Sequence, residues 1–86
     1  MTAKRILKDF LSNKLKSGDN TVSSHEFEVD LVAYGKTYWG VLKLPSAYSR
    51  EWRKIRQEDD LRDIDILEVI ELETDSPEAT WQLKTL

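Results

Sequence analysis

The chain has 86 residues, 40% of them hydrophobic and 34% charged, with a formal net charge of −3 and no cysteine. Length and composition predict one small globular domain over 1–86. The missing cysteines exclude a disulfide framework, a thiolate nucleophile and a Cys-based zinc site. A Cys-free small domain fits a reducing compartment, so a cytoplasmic location is expected. No apolar run approaches the ~20 residues that span a bilayer, so no membrane contact is expected.

The charge is unevenly spread. Residues 1–57 hold eleven Lys/Arg against six Asp/Glu, a net +5; residues 58–80 hold one Arg against ten acids, a net −9. Such asymmetry marks either a partner-binding surface or two surfaces that attract each other.

Residues 2–17 read as an amphipathic helix. Ala3, Ile6, Leu7, Phe10, Leu11 and Leu15 recur at three- and four-residue steps. Thr2 is a suitable cap, Gly18 follows the end, and Lys14 and Lys16 suit the last turn. The charges of this segment argue against a secretory leader. A polar connector with Gly18-Asp19-Asn20 follows.

Residues 26–44 read as a β-hairpin around Gly35-Lys36, because Gly suits the first central position of a type II′ turn. Counting outward places Phe27, Val29, Leu31 and Ala33 beside Leu44, Leu42, Gly40 and Tyr38 on an uncharged, buried face. The opposite face carries Glu26, Glu28 and Asp30 together with an apolar island of Val32, Tyr34, Trp39 and Val41. Glu28 then lies opposite Lys43, and Leu31→Asp is expected to unfold the domain.

Pro45 is expected to stop the second strand. A second helix begins near Ser46 or Ser49 and runs to about Gln57, with Tyr48, Trp52 and Ile55 on one stripe. Residues 64–73 form a third strand whose broken alternation fits either a bulge near Leu67-Glu68 or a central strand with apolar cover on both faces. Asp75-Ser76-Pro77 marks a loop, and 80–86 a last strand with Trp81 and Leu83 on one side. The expected fold is α+β in the order α-β-β-α-β-β, a four-stranded, mainly antiparallel sheet packed by two helices.

The chemistry-bearing motifs are sparse. His25 precedes Glu26, Glu28 and Asp30, but a lone His beside solvent-facing acids is more often no metal ligand. The acidic run 58–65 lacks the spacing, the Gly and the terminal Glu of an EF-hand loop. Glu71 and Glu73 near Lys84 are a weak basis for a metal-dependent hydrolase. Three unclustered glycines make no phosphate loop. No enzyme, cofactor or metal is therefore expected.

Two binding surfaces remain. Val32, Tyr34, Trp39 and Val41, joined by Leu67 or Val69, are the candidate protein interface, with a homodimer its simplest form. Arg50, Arg53, Lys54 and Arg56 around Trp52 are the candidate nucleic-acid contact. The first reading makes the chain a non-enzymatic interaction module, a small regulator, inhibitor or subunit. The second makes it a nucleic-acid binder.

Overall fold

A computed structural model describes residues 2–58, 60–75 and 77–85. Asp59 in the acidic run, Ser76 in the expected loop and Leu86 at the end of the expected last strand lie outside the described residues.

The first helix, α1 (Ala3–Lys16), forms as its periodicity predicts and buries Ile6, Leu7, Phe10 and Leu11. Thr2 caps it, its Oγ1 accepting from the Arg5 N–H at 3.3 Å. At the other end Gly18 is left-handed, with φ of +88°. The Gly18 N–H reaches the Leu15 carbonyl at 3.0 Å and the Asp19 N–H the Lys14 carbonyl at 2.9 Å. Those two bonds satisfy carbonyls that the helix end would otherwise orphan.

A short strand, β1 (Thr21–Ser23), leads into two helices, α2 (Ser24–Glu28) and α3 (Asp30–Trp39). The expected hairpin over 26–44 is therefore wrong. The segment carries two hydrophobic periods at once. Phe27, Leu31, Tyr34, Gly35 and Tyr38 are spaced for a helix, and it is Phe27, Leu31 and Gly35 that are buried. Val29, Ala33, Tyr38, Leu42 and Leu44, expected on the buried face of a hairpin, are exposed. Local bonds tip the balance. The Glu26 Oε2 accepts from the Ser23 backbone N–H at 2.7 Å and so holds the start of α2. Gly40, left-handed at φ of +64°, ends α3, and the Val41 N–H closes on the Gly35 carbonyl at 3.1 Å.

Pro45 opens α4 (Pro45–Glu58) rather than ending a strand. It suits a first helical position because its missing N–H is one the helix does not need. The Tyr48, Trp52 and Ile55 stripe is buried as expected. A 3-10 turn over Arg62–Ile64 precedes β2 (Ile66–Leu72) and β3 (Thr80–Thr85).

Among the described residues the sheet has three strands, not four, in the order β1-β3-β2 and antiparallel throughout. β3 is central: Val22 faces Trp81, and Val69 faces Leu83. The β2–β3 register shifts between Ile66 and Glu68, the place where the alternation breaks, and Leu67 and Glu68 are both exposed. Trp81 and Leu83 point to one side and are buried. One hydrophobic cluster joins α1, α2, α3, α4 and the inner face of the sheet. No described helix is long and apolar enough to cross a membrane.

Candidate functional site

The distinctive surface begins on α4. Its inward stripe is apolar, so Arg50, Arg53, Lys54 and Arg56 are left on the outward side and are exposed. Among the described residues Arg50, Arg53 and Lys54 make no ion pair. The lysines of α1 differ. Lys4 pairs with Asp60; Lys8 pairs with Asp60 at 3.2 Å and Asp63 at 3.0 Å; Lys14 pairs with Asp19 at 3.0 Å and with Glu26. Asp60 and Asp63 of the acidic stretch thus pair with Lys4 and Lys8 of α1, whereas Arg50, Arg53 and Lys54 of α4 have no such partner among the described residues.

Beside these cations lies an open recess of about 410 Å³. Arg50, Arg53 and Arg56 line it together with the hydroxyl-bearing Ser24, Ser46 and Ser49. Phe27, Trp52 and Trp81 form its apolar floor, and among the described residues no carboxylate lines it. The floor is an aromatic cluster: Trp52 and Trp81 meet edge to face at 5.5 Å between centroids, and Phe27 lies 5.6 Å from Trp52. The Arg56 guanidinium rests over Trp81 at 4.7 Å and Trp52 at 5.4 Å, a geometry in which ring faces attract a cation. Burial lowers the Arg56 pKa; Glu71 opposes that shift and the neighbouring charge of Arg53 adds to it. The Trp52 and Trp81 indole N–H groups are sealed from solvent and find no acceptor among the described residues.

The sequence-predicted interface residues are not gathered in one exposed island. Val32, Tyr34, Trp39 and Val41 are half-buried against the core. Tyr34 and Trp39 converge on Asp9 of α1, whose Oδ2 accepts from the Tyr34 hydroxyl at 2.6 Å and from the Trp39 Nε1–H at 3.1 Å. Burial, reinforced by the Asp9 carboxylate, pushes the Tyr34 pKa up to about 12. Leu67 and Val69 lie on β2, lining a separate recess with Ile55 and Leu61. The large apolar groups most open to solvent are instead Tyr38, Leu42 and Leu44, 72%, 74% and 73% exposed.

The acid-bearing candidates disperse. Glu26 turns inward to Ser23 and Lys14, and the His25 Nδ1 lies 3.4 Å from the Glu78 carboxylate. Among the described residues no group of three or more His, Asp or Glu side chains is placed to hold a metal ion.

Sequence reasoning found the four cations of α4 but missed Ser24, Ser46, Ser49 and Trp81 beside them. Ser46 and Ser49 were legible, since each lies four residues before an arginine, Arg50 and Arg53, on the same helix. Trp81 and Ser24 arrive only through the tertiary fold. Compared with known proteins, the chain matches no family, no curated protein and no solved structure.

Proposed function

We propose that the chain is a non-enzymatic protein-interaction module, with a second copy of itself as the simplest partner. The observation that carries this reading is the exposure of Tyr38, Leu42 and Leu44 within seven residues, from the end of α3 to the start of α4. Large apolar side chains grouped on a surface favour burial against another protein, and Tyr is a preferred anchor of such contacts. A patch that meets its own copy closes about a two-fold axis. The test is Leu42→Asp combined with Leu44→Asp. Sedimentation should show an oligomer for the parent chain and a monomer for the double variant, with both still folded. A monomeric parent at hundreds of micromolar, indistinguishable from the variant, overturns self-association.

A second reading, nucleic-acid binding through α4, is favoured by Arg50, Arg53 and Lys54, which make no ion pair among the described residues. Phosphate contacts of this kind release counterions, so affinity should fall steeply with salt. Arg53→Ala with Lys54→Ala should lower the slope of log affinity against log salt by roughly two. If labelled single- and double-stranded DNA and RNA fail to shift at low salt, the reading falls.

A further inference from the structure

We propose that the recess between α2, α4 and β3 is a phosphoryl-binding site, in which Arg50, Arg53 and Arg56 and the hydroxyls of Ser24, Ser46 and Ser49 engage phosphate oxygens above the Trp52–Trp81 floor. This deepens the nucleic-acid reading without depending on it, because the phosphoryl group can belong to a phosphodiester backbone or to a small phosphate ester.

Three observations converge. The first is the lining itself: three guanidinium groups and three hydroxyls around about 410 Å³, with no carboxylate among them. Guanidinium forks match phosphate oxygens and bind them in pairs, and serine hydroxyls donate to them. A volume of that order holds a phosphoryl group with part of what it is attached to.

The second is electrostatic. Arg50 and Arg53 have no ion-pair partner among the described residues, while the partly desolvated Arg56 is attracted by Glu71 and repelled by Arg53. Three like charges held together raise the energy of the empty site, and Glu71 offsets only part of the cost of burial and repulsion at Arg56. An anion lowers that energy, and a dianionic group does so more than a carboxylate. Lys4, Lys8 and Lys14 of α1, by contrast, each have a carboxylate partner.

The third is positional. The Trp81 and Trp52 rings hold the Arg56 guanidinium 4.7 and 5.4 Å from their centroids, a contact that restricts it before any ligand arrives and so reduces the entropy lost on binding. Ser46 and Ser49 stand in the first turns of α4, whose first turn has no acidic residue, so the partial positive charge of the helix start adds to the arginines. The floor rings are nearly fully buried, Trp52 at 1% and Trp81 at 6% exposure. They offer no free face for a base to stack on, so the site should recognise phosphate rather than base.

The test titrates the full chain with inorganic pyrophosphate at low salt, read by calorimetry and by thermal melting. The parent should show a saturable heat and a raised melting temperature. Arg50→Ala with Arg53→Ala, two exposed positions, should fold normally and bind at least about tenfold more weakly. Lys16→Ala with Lys36→Ala removes the same charge elsewhere and should bind as the parent does. No saturation by low-millimolar pyrophosphate, or equal losses in the two double variants, overturns the proposal. An oligothymidylate titration separates the sources. Pyrophosphate binding without oligonucleotide binding keeps this site and removes the nucleic-acid reading; the reverse keeps that reading and removes this site.

Discussion

Gly35 shows how one residue type can point to two different structures. It read as a turn glycine, yet it lies buried in α3, and what requires it is proximity. A Cβ there would stand 2.5 Å from the Tyr48 hydroxyl and 3.3 Å from the Val41 carbonyl oxygen. Helix propensity alone would favour alanine by about 1 kcal/mol. Overpacking typically costs about 1–3 kcal/mol, and Tyr48 is fully buried, so its hydroxyl has nowhere open to move. Gly35→Ala should therefore destabilise the fold. The Tyr48 hydroxyl has no hydrogen-bond partner among the described residues, and burial raises its pKa. Leaving such a group unsatisfied costs about 1–3 kcal/mol, so Tyr48→Phe should be neutral or stabilising. In the Tyr48→Phe background most of the cost of Gly35→Ala should vanish, because the atom that clashes is gone. Denaturant melts of the parent, the two single variants and the double variant decide it; simple additivity would show that the close approach is not the cause.

At the scale of elements, 26–44 decides the fold, and a discriminating variant must differ between helix and hairpin. Leu31→Asp does not discriminate. Leu31 is fully buried in α3, so the charge unfolds the protein under either arrangement. Leu42 does discriminate, because a hairpin buries it and the observed fold leaves it open. Leu42→Asp should keep a near-native melting temperature and helical circular dichroism. A collapse of both would restore the hairpin.

The same segment explains which parts of the architecture were legible. α1 could be read because periodicity, cap and terminal residues agreed over fourteen residues. α4 could be read because Tyr48, Trp52 and Ile55 recur at helical spacing, although Pro45, its first residue, reads as the end of a strand. The bulge of β2 could be read because its alternation breaks where the register shifts. Over 26–44 the apolar residues fit periods of two and of 3.6, and Gly35-Lys36 offered a ready turn. The deciding signals were small: Glu26 three residues after Ser23, and Gly40 directly after Trp39. Strand β1 has only three residues and gains its place by pairing with β3, which no local pattern announces. Of the candidate site, the arginines were legible from helical spacing. The recess was not, because Ser24 and Trp81 reach it from distant parts of the chain.

Across the whole molecule, the charge asymmetry becomes a set of ties whose pH limits follow from their directions. Lys4 and Lys8 hold the Asp60 carboxylate below the usual range, and Asp60 in turn raises Lys4. Asp19 is also lowered: burial alone would raise it, but hydrogen bonds from the Thr21 backbone and Lys14 outweigh that. A carboxylate whose pKa is depressed on folding stabilises fully above its unfolded value of about 3.9 and loses that contribution as pH falls through the folded value. Raised groups act at the other end. The stabilisation from Lys4 is complete below its ordinary 10.5 and fades as pH rises through the folded value. For Tyr34 the loss sets in above its ordinary 10.0 and runs toward about 12, because the unfolded chain would ionise it first. Stability should thus be flat with respect to these groups between roughly pH 4 and 10 and fall on both sides. Asp60 and Lys4 form a solvent-exposed pair, so added salt should shrink that part of both limbs. Tyr34 is half-buried and bonded to Asp9, so its part of the alkaline limb should resist salt. Melting temperatures from about pH 2 to 12, at low and high salt, for the parent, Asp60→Asn and Tyr34→Phe would separate these contributions. Asp60→Asn should flatten the acid limb and Tyr34→Phe the salt-resistant part of the alkaline limb. An alkaline limb unchanged in Tyr34→Phe would mean that the Asp9 clamp does not hold Tyr34 neutral in the folded protein.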